Sequence, residues 1–349
     1  GTGEEITGFW VGKFESSNAE SPINNEGITA NSDEKLLYGY GNKKDVTIRP
    51  NVTSWRNSNI ITMFKVCRNM TEPNNMYGLK KSDSTTTLMQ NSQWGAVSYL
   101  SQSKYGNIYK TADNESGIWK NPYNEGFTKN VTNSLYGMEN YSTTMTGMIG
   151  IRKDDNLKRE NYTDYYSKCE GNKKDNGDTI EIGYVNIERG GLATTKYTNI
   201  YYRYYTENGQ KGSTTRNIYG IYDMAGGAWE YMANYLEKAT NNSYVKDFLD
   251  VSPKYKSMYT TKATGNSEKD NMQNYEASQE KYGDAIWEIS NNKSGQNAWS
   301  QGYFYFPSIE YPFFLRGDYY AGSVGSNLFS VSGVEGGAYS GYSFRVVLF

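Results

Sequence analysis

The chain has no histidine among its 349 residues. That absence excludes Ser-His-Asp and Cys-His catalysis, the zinc HExxH motif and the usual imidazole general base. Cysteine is nearly missing too: only Cys67 and Cys169 occur, and their spacing supports no metal site. A disulfide between them would close a loop of about a hundred residues and contribute about 4 kcal/mol. Cys67 also lies in an apolar helical pattern, where a thiol serves as a small buried hydrophobe, so both readings stay open. No stretch approaches the ~20 apolar residues of a membrane span. Lys and Arg number 36 against 38 acids, for a net charge of −2. The basic footprint that neutralises phosphates is therefore absent, and nucleic acid is not an expected partner. No period of about 20 to 50 residues recurs, which argues against a repeat architecture. The opening Gly1-Thr2-Gly3 carries no leader and reads as a trimmed or processed start, so any membrane attachment is expected through an anchor outside the sequence.

What the chain has is tyrosine, 34 residues against 12 Phe and 7 Trp, with a mean hydropathy of −0.80. Tyr combines a large apolar body with a polar tip, so the packing tolerates water and the surface is expected to be polar and Tyr-rich. The C-terminal stretch 311–349 concentrates this character. Two apolar runs, Phe313 to Leu315 and Phe344 to Phe349, bracket a segment with seven glycines between Gly317 and Gly341. The runs read as buried strands and the filling as exposed loop or loose sheet, a composition suited to a binding surface or to a plain glycine-rich turn region.

Upstream, Gly8 to Glu15 reads as a strand apolar enough to be central. Thr53 to Met70 carries apolar residues at helical spacing with Thr53 or Ser54 as N-cap, and Thr85 to Lys104 repeats the pattern, with Trp94 in its core face. Between 106 and 215 the pattern weakens into short apolar islands that read as strands or packed loops. Asn217 to Tyr235 is sharper. Its Gly226-Gly227 pair between apolar residues implies positive φ or a close backbone approach.

Three separated motifs resemble one family. GIYDMAGGAWEY (Gly220 to Tyr231), FFLRG (Phe313 to Gly317) and SFRVVL (Ser343 to Leu348) are similar to the signature and closing strands of the formylglycine-generating enzyme superfamily, and QWGAVSYLSQSKYG matches its second helix in position. The resemblance implies an α+β, C-type lectin-like fold over 1–349, with two helices, short antiparallel sheets, paired N- and C-terminal strands, and insertions near 106–215 and 236–283.

Within that superfamily the chain looks most like the variable proteins of diversity-generating retroelements, of the surface or pilus-associated type found in Gram-positive gut bacteria. The resemblance implies a variable ligand-binding region at 311–349, with Asp318, Tyr319, Tyr320, Ser323, Ser326, Ser330, Ser332, Glu335, Ala338, Tyr339, Ser340 and Tyr342 as variable positions. Gly317, Gly322, Gly325, Leu328 and Phe329 read as scaffold. The paired C-terminal cysteines that formylglycine generation requires are missing, so no catalytic residue is assigned. No cofactor is called for. The resemblance leaves structural Ca²⁺ open, with Asp223 and Glu230 as weak oxygen candidates that hydrogen bonds account for equally well.

The function implied is non-enzymatic binding of a protein or glycan on another cell, a phage or a host, at an extracellular bacterial surface or pilus. Alternatives are a structural pilus or pilus-tip subunit packing against its neighbours, and an enzyme of the same fold using carboxylates such as Asp223, Glu230, Asp318 and Glu335.

Overall fold

All eight residues of Trp229–Leu236 are buried. A strand covered on both faces does not need strict alternation, and WEYMANYL follows that rule, with Glu230 and Asn234 among apolar neighbours. The computed structural model that shows this describes residues 8–18, 45–101, 103, 145–152, 166–187, 193–210, 212–215, 217–260, 283–286, 289–290, 300–301, 305–317, 328–339 and 341–349.

In chain order the elements are β1 (Trp10–Val11), β2 (Ser17–Asn18), β3 (Val46–Thr47), α1 (Ile60–Asn69), β4 (Thr86–Leu88), α2 (Asn91–Ser101), β5 (Met148–Arg152), β6 (Tyr166–Asp175), β7 (Thr179–Ile187), β8 (Ala193–Arg203), the single turn α3 (Glu207–Gln210), β9 (Trp229–Leu236), α4 (Ser243–Leu249), β10 (Ser257–Tyr259), β11 (Ile289–Ser290), β12 (Ser300–Gln301), β13 (Phe313–Arg316), β14 (Val331–Val334), β15 (Tyr342–Phe344) and β16 (Val346–Leu348). The protein is mixed α+β, with few helices and short sheets.

β9 is the axis of the principal sheet. β13 runs antiparallel along it, with Leu315 opposite Tyr231 and Arg316 opposite Glu230. β15 pairs in parallel with its first residues, Tyr342 opposite Trp229, and β10 in parallel with its last, Tyr259 opposite Leu236. β14 folds back antiparallel on β13. After β15 the chain changes sheets at Arg345, and β16 lies between β1 and β4 in a three-stranded sheet, with Trp10 opposite Leu348 and Val346 opposite Leu88. β5 to β8 form a separate four-stranded antiparallel sheet in the order β5-β8-β7-β6. The apolar islands of that region are thus strands.

Aromatic packing joins the helices to the principal sheet. Phe248 of α4 lies 5.0 Å from Phe64 of α1 and 5.7 Å from Phe313 of β13, centroid to centroid. Burying each such ring contributes about 1.5–3 kcal/mol. Trp94 is fully buried, as its helical position predicts, and its indole N–H donates to Leu328 O at 2.8 Å.

Several expectations need correction. Gly8 to Glu15 forms only the two-residue edge strand β1, and Trp10 is 77% exposed. α1 starts at Ile60, capped by Asn59 instead of Thr53 or Ser54, with the Asn59 side chain accepting from Thr62 N at 2.8 Å. Residues Thr53 to Ser58 are not helical; Asn57 takes φ 55, and an Asn tolerates that region where the helix-favouring residues do not. Thr86–Leu88 is strand, not helix, because β-branched Thr86 and Thr87 fit the ladder beside β16. Cys67 is a free, buried thiol, so the disulfide reading falls; burial pushes its ionisation up. Among the described residues no helix is long and apolar enough to cross a membrane.

Candidate functional site

The loop from Glu335 to Gly341, between β14 and β15, is tied down from three sides. Gly336 O accepts from Ile60 N at 3.0 Å, so the loop satisfies one of the amides that the first turn of α1 leaves without a helical partner. Tyr339 O accepts from Asn57 N at 3.1 Å. Asn242 serves twice: its side-chain oxygen caps α4 through Tyr244 N and Val245 N, and its amide donates to Glu335 O at 2.9 Å. From β9, the Tyr231 hydroxyl donates to Gly337 O at 2.7 Å, and Trp229 N donates to Gly341 O at 2.8 Å. Gly336 permits this course. Its φ is 106, and a Cβ there would stand 2.8 Å from the Phe313 ring and 2.9 Å from the Tyr244 ring.

On this anchored loop a ladder of rings leads from the core to solvent. Tyr231 is buried, Tyr342 is half-buried with its ring edge-on to Tyr231 at 5.4 Å, and Tyr339 packs on Tyr342 at 4.8 Å while remaining 49% exposed. Burial raises the Tyr231 phenol, with further contributions from the charges of Tyr342, Tyr244 and Glu335.

Of the twelve positions expected to vary, Glu335, Ala338 and Tyr339 are exposed and Tyr342 is half-buried, all four on the anchored loop or at its exit. Ser330 and Ser332 are buried, at 0% and 8% exposure, and face the interior beside β13. Asp318, Tyr319, Tyr320, Ser323, Ser326 and Ser340 lie outside the described residues, as do Gly322 and Gly325. Leu328 and Phe329 are buried. Sequence reading missed the residues that hold the loop. Asn242 before a short amphipathic helix carries an N-cap signal, but nothing local indicates that it, Tyr244 or Asn57 meets a loop about a hundred or more positions away.

One register step beneath Tyr342, Ser343 lies opposite Glu230, and here the second group of candidate residues is found. Arg345 binds both Glu230 oxygens, Nε to Oε2 at 3.0 Å and Nη2 to Oε1 at 2.5 Å, and also donates to Gly12 O at 2.7 Å and Tyr222 O at 2.9 Å. Asp223, at φ 62, accepts from Gly147 N at 2.9 and 3.0 Å and from Glu15 N at 3.2 Å. Glu15 accepts from Ala228 N at 2.6 Å, and a Cβ on Gly227 would come within 2.3 Å of the same oxygen. The close approach expected at the paired glycines is thus to the Glu15 side chain, and both glycines have positive φ.

Three buried carboxylates face one guanidinium. Fully ionised they would leave two uncompensated negative charges out of water, which costs several kcal/mol each. Burial, followed by the charges of Glu230 and Asp223, holds the Glu15 carboxyl well above the ordinary range, against the Ala228 amide and Arg345. Burial also pushes Asp223 up to about 6 and Glu230 up to about 7, with Arg345 opposing both.

These residues do not fit a Ca²⁺ ion. Both Glu230 oxygens are engaged by a cation already, and both Asp223 oxygens face the Gly147 amide. Among the described residues no group of three or more His, Cys, Asp or Glu side chains has the arrangement to hold a metal. Glu335 stands on the surface while Asp223 and Glu230 are enclosed, so the three do not form one reactive set. Comparison with protein-family models, with curated proteins and with solved structures gives no match to this chain.

Proposed function

We propose that the chain is a non-enzymatic ligand-binding domain of C-type lectin-like, formylglycine-generating-enzyme type, displayed at a bacterial surface, with a C-terminal segment diversified by a retroelement. The carrying observation is the Tyr339–Tyr342 pair, presented on a loop whose carbonyls are held by α1, α4 and β9. Tyr offers large contact area for few rotatable bonds, and a loop fixed before binding loses little entropy on binding. The positions of the three motifs support the reading: one runs into β9, and the other two form β13 and β15 to β16, beside the strand at the chain's start. The test is binding of the purified chain to a panel of purified surface proteins and glycans, followed by Tyr339→Ala/Tyr342→Ala on any ligand found. The pair should carry a loss of about 30-fold or more, the scale of an interface anchor. Undiminished binding by the double variant would remove this surface as the site.

A further inference from the structure

Three donors around the loop are spent on the loop itself. The Asn242 amide, the Tyr231 hydroxyl and the Asn57 N–H go to the carbonyls of Glu335, Gly337 and Tyr339. The exposed groups of the loop include the Tyr339 side chain, whose ring face carries negative potential, and the Glu335 side chain. Glu335 is exposed and makes no ion pair among the described residues, and residues 335–342, EGGAYSGY, contain no Lys or Arg. Tyr244, half-buried on α4, brings its ring against Gly336 and its hydroxyl to 4.0 Å from the Cβ position of Gly337.

We propose that this face receives a cationic side chain, the ammonium of a lysine or the guanidinium of an arginine on a polypeptide ligand, against the rings of Tyr339 and Tyr342 and the Glu335 carboxylate. Tyr244 supplies a further wall from outside the C-terminal segment. The proposal rests on the ligand-binding reading above and narrows its partner to a protein with an exposed basic residue. A cation over an aromatic face with a carboxylate beside it gains from both groups, whereas a neutral group of the same shape gains less from each.

The test compares N-acetyl-argininamide with N-acetyl-citrullinamide, its uncharged counterpart, by amide chemical-shift titration of the full chain. The arginine probe should shift Glu335, Gly337, Tyr339 and Tyr342 and bind about tenfold tighter than the citrulline probe. Glu335→Gln should remove most of that preference without moving the denaturation midpoint, and Tyr244→Ala should weaken the arginine probe alone. Equal binding of the two probes, a preference untouched by Glu335→Gln, or no shift with the arginine probe overturns the proposal. The ligand-binding reading is judged separately, because it fails only if Tyr339→Ala/Tyr342→Ala leaves macromolecular binding intact.

Discussion

Arg345 closes a two-bonded ring on the Glu230 carboxylate with neither side chain exposed to solvent. Because Arg345 sits where the chain passes from β15 to β16, this pair locks the principal sheet to the sheet in which β16 lies between β1 and β4. Removing one partner of a buried pair strands the other charge. Arg345→Met should therefore cost about 3–5 kcal/mol in urea denaturation. The double variant Glu230→Gln/Arg345→Met should cost clearly less than the sum of the single changes. Additive losses would show that the two side chains act independently.

The same cluster makes stability depend on pH. Asp223 and Glu230 rise from ordinary values of 3.8 and 4.5 to about 6 and about 7, and Glu15 rises as well. The folded state thus holds protons that the unfolded chain has released. This contribution is fully present below about pH 4 and is lost as pH rises through about 6 to 7, roughly 3 kcal/mol for each of Asp223 and Glu230. With no histidine to titrate in that window, the slope reports the cluster. Glu15→Gln should flatten it and raise stability at pH 8, and a flat wild-type profile between pH 5 and 7.5 would refute the assignment.

Gly227 offers a steric test. With φ 75 and the Glu15 carboxylate 2.3 Å from a Cβ position, Gly227→Ala should cost more than about 2 kcal/mol. Gly78 has φ 70 but nothing within 4 Å, so Gly78→Ala should cost only the left-handed strain, about 1–2 kcal/mol. Thermal melts of the two variants side by side check the difference.

Burial divides the tail. The Ser330 Oγ is enclosed without a hydrogen-bond partner among the described residues, so Ser330→Ala should be neutral or stabilising by about 1 kcal/mol, and Ser330→Tyr should overpack and destabilise by about 1–3 kcal/mol or more. If the segment is diversified, copies sequenced from many cells should keep small residues at Ser330 and Ser332 and vary freely at Glu335, Ala338 and Tyr339. Large aromatic residues at Ser330 in stable natural copies would contradict this.

Part of the molecule was legible because its causes are local. Continuous apolar runs marked β13 and β16, a double glycine marked the turn into β9, and helical spacing placed Trp94 inside. Where two local forces competed, reading by periodicity failed. Apolar residues over 53–70 and 85–104 fit a helical pattern, yet Asn59 begins one helix late and the threonines of β4 join a ladder.

The histidine-free composition and the tyrosine-rich tail follow from the residues alone, and with them the exclusion of imidazole chemistry and the expectation of a polar surface. Tertiary structure alone decided which tail residues reach that surface and what holds them there. Arg345 meets Gly12 across 333 positions and Glu230 across 115, and the loop of Tyr339 hangs on Asn57, Asn242 and Tyr231. Contacts of that separation depend on which strands come to lie side by side, and a local pattern of apolar and polar residues carries no record of its distant partner.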